Sequence, residues 1–186
     1  MSVAVIIVNY NSASLLERCL QCLSNQTCQP DQIIVVDNAS TEPASIRLLQ
    51  EITGAEVIHA GANLGYGAAI NPAVETLSDV EYVCCLNPDA FPKPDWLEKL
   101  TSAAAVNPAY GSFACLMLNA HDESTIDGAG DELHLTGLPW RRFHGRKLAD
   151  THIGTEPVLS PCAGAAMYRV DDFRSAGGFD ESFSCM

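Results

Sequence analysis

Five consecutive apolar residues, Tyr82-Val83-Cys84-Cys85-Leu86, run without polar alternation into Asn87-Pro88-Asp89. A run this short and this uniformly apolar describes a strand covered on both faces, and such strands are usually parallel and central. Pro88 lacks an amide donor and biases Asn87 away from helix, so the strand ends there. Asp89 then falls just past its carboxyl edge, where open α/β sheets bind ligands. Taken alone, Asn-Pro-Asp is better read as ordinary turn chemistry.

The same pattern recurs along the chain. Val3 to Val8 is a second continuous apolar run, ending in Asn9-Tyr10-Asn11-Ser12 ahead of a helical pattern. Ser14 and Glu17 read as a capping box, and Leu15, Leu16, Cys19, Leu20 and Leu23 as the buried face of that helix. Gln29-Pro30 closes it. Ile33 to Val36 is the next strand and runs into Asp37-Asn38-Ala39-Ser40, again an acid at a strand's carboxyl end. Pro43 suits a first helical turn, with Ile46, Leu49 and Ile52 spaced for one face.

Val57 to Ala60 reads as a short third strand, followed by Gly61 to Asn71, a small-residue loop whose free amides suit an anion. Gly65-x-Gly67 lacks the third glycine of a dinucleotide fingerprint and follows the wrong strand, which argues against an NAD site. Pro72 predicts either a kink or a fresh helix start capped by Asn71. Pro94-Asp95-Trp96 opens another helix that Asn107-Pro108 terminates, and Ser112 to Leu118 reads as one further strand. Alternating strands and helices imply an α/β fold: a mostly parallel central sheet, helices on both faces, right-handed crossovers.

From 119 to 157 the periodicity is lost, and the segment reads as an irregular excursion from the sheet. Four of the ten basic residues, Arg141, Arg142, Arg146 and Lys147, lie there beside Trp140, Phe143 and His144. They form either a solvated basic face or a place to meet a phosphate. Residues 158 to 169 return to small and apolar character.

Charge and cysteine usage narrow the function classes. Ten Lys plus Arg against twenty-three Asp plus Glu leaves a net charge of −13, which repels nucleic acid and anionic membrane surfaces. A phosphate-bearing ligand therefore needs a cation or a local basic patch. The Val3 to Val8 run has neither the basic flank nor the length of a signal peptide or membrane helix, so a cytoplasmic protein is expected. The cysteines lie mostly in apolar segments and read as reduced core residues. Cys19-x-x-Cys22, with Cys28 nearby, lacks a second ligand pair, and Cys19 shares the helix's leucine face, which argues against zinc.

Taken in order, these residues resemble the inverting glycosyltransferases of family 2, with the GT-A fold, and especially their rhamnosyltransferase-like branch. The resemblance is carried by Val8-Asn9-Tyr10-Asn11, Val36-Asp37-Asn38-Ala39-Ser40, Asn63-Leu64-Gly65-Tyr66-Gly67 with Asn71, Asn87-Pro88-Asp89, and Gly177-Gly178-Phe179-Asp180-Glu181, in the family's sequence order. It implies transfer of a sugar, with rhamnose the sugar of that branch, from a nucleotide-diphosphate donor. The acceptor would be a polysaccharide or a glycan on a lipid, in cell-wall or polysaccharide biosynthesis. Val8, Asn9 and Tyr10 would hold the nucleotide, together with Asn38, Asn63, Gly65 and Asn87. Asp37 would accept a hydrogen bond from base or ribose, and Asp89 would ligate Mg²⁺ or Mn²⁺ against the diphosphate. Asn87 stands where many members carry a second Asp, which would weaken metal binding.

In the family an acidic pair just after the Gly-Gly-Phe-Asp-Glu motif supplies the general base, and this chain stops before it. Asp180 and Glu181 are then expected to support the loop and cap a helix; as catalytic candidates they rank second to residues beyond Met186. Residues 1–186 are expected to form a single domain, with 1–118 binding the nucleotide-sugar and 119–186 an incomplete acceptor side. Such a chain should bind nucleotide, transfer little sugar and self-associate through its uncovered edge, with peripheral membrane association expected of a longer form. A nucleotide-binding module without catalysis is the alternative. A sugar nucleotidyltransferase is less favoured, because Asn9-Tyr10-Asn11-Ser12 lacks the glycine- and arginine-rich loop it needs.

Overall fold

In the computed structural model, which describes residues 1–183, ten strands and five helices follow one another in chain order. The first half alternates regularly: β1 (Val3–Asn9), α1 (Ala13–Ser24), β2 (Gln32–Asp37), α2 (Pro43–Glu51), β3 (Glu56–His59), α3 (Tyr66–Glu75), β4 (Tyr82–Leu86) and α4 (Trp96–Val106). Then come β5 (Ser112–Ala114), β6 (Leu116–Asn119), β7 (Asp122–Ala129), β8 (Asp131–Leu133), β9 (Pro139–Arg141), a 3-10 turn at Leu148–Asp150, β10 (Ala165–Arg169) and α5 (Val170–Ser175).

Six strands form the central sheet, in the order β3-β2-β1-β4-β10-β5. β3, β2, β1 and β4 are mutually parallel, and β10 enters antiparallel between β4 and β5. The central strands are buried along their whole length because both faces are covered. Val3, Val5 and Ile7 of β1 pack toward α1, α2 and α4, while Ala4, Ile6 and Val8 pack toward α3 and α5. Continuous apolar runs, rather than alternating ones, are what this double covering requires.

Several local expectations are corrected. α1 begins at Ala13 with Ser12 in the N-cap position, so Ser14 lies inside the first turn and the capping box is two residues out of frame. The Ser12 hydroxyl donates back to Tyr10 O at 3.0 Å instead of capping. α3 runs through Pro72, and Asn71 is a helical residue, not a fresh cap; its side chain is engaged elsewhere. Ser112 to Leu118 is two strands, divided at Cys115, with β5 in the central sheet and β6 paired to β7 in a separate hairpin. The excursion from 119 to 157 is likewise less irregular than its sequence suggests, since it holds β7 and the hairpin β8-β9.

Among the described residues no helix is long and apolar enough to cross a membrane. Cys19, Cys84 and Cys85 are buried and unpaired. Burial, with Cys22 and Asp89 close by, pushes the Cys19 thiol up to about 12, so it is a packing residue and a poor metal ligand.

Candidate functional site

Strand register brings the carboxyl ends of the parallel strands to one level. Asn9 of β1 is opposite Asp37 of β2, and Asp37 is opposite His59 of β3. Leu86 of β4 pairs with Ile7, so the Asn87-Pro88-Asp89 turn leaves the sheet beside the end of β1. Four loops therefore meet over one edge.

Side chains lock these loops to each other's backbone. Asn11, held at φ 52°, accepts from the amides of Thr41 and Glu42 at 2.8 and 2.9 Å. Those amides precede α2, whose own N-cap residue makes no side-chain cap, so the loop after β1 caps the helix after β2. Ser40 Oγ accepts from Asn9 Nδ2 and from the Asn11 amide. Asn38 bridges to the next loop: its Nδ2 donates to Asn63 Oδ1 at 3.0 Å and its Oδ1 accepts from the Leu64 amide at 2.9 Å. Asn63 Oδ1 also accepts from the Gly65 amide, and Gly65, at φ 82°, takes the left-handed conformation that opens α3.

Asp37 is nearly buried, and both its carboxylate oxygens are taken. Oδ1 accepts from the Ser40 amide at 3.0 Å, and Oδ2 lies 3.0 Å from His59 Nδ1. Burial pushes this carboxyl upward, but hydrogen bonds from Ser40 and His59 outweigh it, and the net effect is to hold Asp37 below the ordinary carboxylate range. Asn9 is fully buried, and its Oδ1 is an acceptor with no protein partner. Tyr10, by contrast, is 45% exposed and free to offer its ring to a ligand.

Beside β4 the chemistry changes. Asn87 N donates to Gly164 O, and Asn87 O accepts from Ala90, which fixes the turn. Asp89 is exposed. Among the described residues no three His, Cys, Asp or Glu side chains cluster to hold a metal. Any ion here would rest on Asp89 and on ligands brought by the substrate, a set that suits a hard divalent cation with phosphate oxygens and waters.

Gly177 to Glu181 docks on α3. Asn71 Oδ1 accepts from the Phe179 amide and Asn71 Nδ2 donates to Phe179 O, both at 2.9 Å. Phe179 packs on Tyr66, Tyr168 and Phe173. A Cβ on Gly67 would come within 2.9 Å of Phe179 Cβ, so the small residue is needed for this approach. Asp180 Oδ1 accepts from the Ser182 amide, and Glu181 Oε1 accepts from Asn71, contacts that brace the loop.

The basic cluster at 141–147 is largely neutralised from within its own excursion. Arg141 pairs with Asp127, Arg142 with Glu132 and Glu156, and Lys147 with Asp122. Arg146 sits near the Phe143 ring. His59 and Ser40 both join the network at the sheet edge, yet only Ser40 stands within a quoted motif. A polar residue closing the short Val57-Ile58 run is the signal the sequence holds for His59, and the register that pairs it with Asp37 comes from the fold.

The family described as Glycosyl transferase family 2 matches residues 4–177. An N-acetylglucosaminyl-diphospho-decaprenol L-rhamnosyltransferase of Mycobacterium tuberculosis is 30% identical over 202 residues, covering 96% of this chain and 65% of that protein. The O-antigen biosynthesis protein RfbC of Myxococcus xanthus is 30% identical over 193 residues, covering 97% of this chain and 15% of that protein. The chain thus spans less than two thirds of each. The mannosyltransferase PcManGT from Pyrobaculum calidifontis, solved in complex with GDP-Man and Mn²⁺, superposes with a TM-score of 0.64 at 22% identity, over 96% of this chain and 47% of that one. TarS of S. aureus in complex with UDP-GlcNAc superposes with a TM-score of 0.58 at 20% identity, over 95% and 48%. At these identities the structural likeness speaks for the GT-A fold.

Proposed function

The chain belongs to glycosyl transferase family 2, and from that premise we propose that its sheet edge binds a nucleoside-diphosphate sugar and serves transfer of that sugar to a glycan or lipid-linked glycan. The observation that carries this reading is the convergence at one edge of Asn9, Asp37 and the Asn87-Pro88-Asp89 turn. The loops there are cross-braced by Asn11, Asn38 and Ser40. A site whose loops are fixed before ligand arrives loses little on ordering them.

Each residue has a distinct task. Tyr10 offers an exposed ring for the base, and the preceding residue, Asn9, holds a buried Oδ1 acceptor with no protein partner. Val8, Asn38, Asn63, Gly65 and Asn87 shape the cradle through backbone and amide contacts. Asp37, ionised and braced by Ser40 and His59, stands on the side of the site that would serve the base or ribose. Asp89 would hold Mg²⁺ or Mn²⁺ against the diphosphate, and such an ion supplies charge neutralisation as the nucleoside diphosphate departs. The displacement is a single in-line step with inversion. Asp180 and Glu181 are engaged in holding the loop against α3, which favours a bracing role over that of general base. The names of the mycobacterial and myxobacterial relatives support rhamnose as the sugar and a lipid-linked or O-antigen glycan as acceptor.

Calorimetric titration of UDP, dTDP and GDP, with and without Mn²⁺, tests the site. Binding should be metal-dependent in the wild type and lose that dependence in Asp89→Ala. Identical titrations for both proteins would remove Asp89 from the site.

A further inference from the structure

β3 is the outermost parallel strand, and its last residue, His59, faces Asp37 in register. The two side chains differ sharply in access. The Asp37 side chain is 11% exposed and the His59 side chain 66%. Both Asp37 oxygens already have protein partners, the Ser40 amide and the His59 ring. A ligand arriving at this edge therefore meets the imidazole more readily than the carboxylate behind it.

The pairing also decides the tautomer. Asp37 is held ionised by its hydrogen bonds, so it can only accept, and the proton between the two groups must reside on His59 Nδ1. In the ring's neutral form this leaves Nε2 as an acceptor at the sheet edge. Carboxylates commonly fix imidazoles in this way, setting which nitrogen is free by the bond the other makes.

We propose that His59 is a nucleotide-binding residue, its Nε2 accepting a hydrogen bond from a ring or exocyclic N–H of the donor's base, with Asp37 orienting the imidazole from behind. This rests on the proposed placement of the nucleotide over the carboxyl ends of β1, β2 and β3. It assigns Asp37 a positioning role toward His59. Uracil, thymine and guanine all carry an N–H that an acceptor here would read, whereas a base-free diphosphate carries none.

Two substitutions separate the two ring nitrogens. His59→Asn can keep a donor near the Nδ1 position and so retain the link to Asp37, but it removes the outer acceptor. His59→Gln places an amide near Nε2 and gives up the inner bond. Titrations of UDP, dTDP and GDP, with inorganic pyrophosphate as the base-free control, should show the preferred nucleotide weakened about fivefold in His59→Ala and equally in His59→Asn. His59→Gln should recover part of the loss, and pyrophosphate binding should be unchanged throughout. Retention of wild-type nucleotide affinity by His59→Asn would overturn the direct contact. An equal loss of pyrophosphate affinity would do the same, by showing a structural effect. Adding Asp37→Asn and Asp89→Ala separates the levels. If these two weaken binding while every His59 variant binds as wild type, only the His59 assignment fails; if the wild type binds none of the three nucleotides, the placement of the nucleotide fails first.

Discussion

The parallel half of the molecule and the β8-β9 hairpin of the excursion are held together by different forces. In β1 and β4 every residue is buried, and the loops above them are tied by amide side chains bonded to backbone. In β8 and β9 most residues are exposed, with Leu135, Leu138 and Trp140 largely in solvent. Order there comes from ladders and ion pairs such as Arg141 with Asp127 and Lys147 with Asp122. The first region gains free energy from removing apolar surface from water, and the second from contacts that water and salt compete for. A binding site that must keep its geometry belongs on the first.

That contrast breaks most visibly under truncation of side chains. Ile6→Ala, in the fully buried centre of β1, should cost about 2–5 kcal/mol by chemical denaturation. Leu135→Ala should change stability by less than about 0.5 kcal/mol. Comparable losses at the two positions would mean that the β8-β9 hairpin has a core of its own.

Gly67→Ala probes the seam between α3 and the Gly177–Glu181 loop. Its new methyl meets the Phe179 side chain at its base, and overpacking of this kind costs about 1–3 kcal/mol. Asn71→Ala strips both backbone bonds from Phe179 and leaves those groups to find other partners, a loss of about 1–3 kcal/mol. If neither variant shifts the denaturation midpoint, the docking of that loop contributes nothing to folding.

Asp37 brings pH into the contrast between the two regions. Its folded carboxyl titrates below the ordinary 3.8. Its contribution is therefore complete above that value and is lost as pH falls through the lower, folded value. The stability gap between wild type and Asp37→Asn should be constant near neutrality and close only in strong acid, as followed by urea melts at stepped pH. A gap that closed between pH 5 and 7 would assign the effect to another group.

The smallest effect belongs to the ion pairs. Lys147→Ala should cost less than about 1 kcal/mol, and the loss should shrink further in high salt. A salt-independent loss would make the Lys147 contacts structural rather than screened.

The same physical difference explains what was legible in the sequence. Tyr82–Leu86 and Val3–Val8 declared themselves because strands buried on both faces must be apolar throughout, and Asp37 and Asp89 followed from where those runs stop. β10 lies between β4 and β5 in the central sheet, yet the run around it is no more apolar than its flanks, and nothing in its sequence reveals an antiparallel insertion. Ser112–Leu118 looked continuous because apolar content does not record the change of sheet at Cys115. The β6-β7 and β8-β9 hairpins were hidden for related reasons: β8 and β9 bury little and carry no period, and β7 is buried only toward its end, at Ile126, Gly128 and Ala129. His59 escaped because a single polar residue at a strand end acquires meaning only through the partner that register places beside it.

On the proposed reading a nucleotide and its cation meet at the ends of β1 and β4 and not at the arginines of the excursion. Paramagnetic broadening by Mn²⁺ in amide-resolved spectra, recorded with saturating nucleotide, tests it most directly. Resonances of Asn9 to Asn11, Asn87, Asp89 and Ala90 should be lost first while those of Arg141 to Lys147 persist, and Asp89→Ala should abolish the pattern. Broadening centred on Arg141 to Lys147 and unaffected by Asp89→Ala would contradict it.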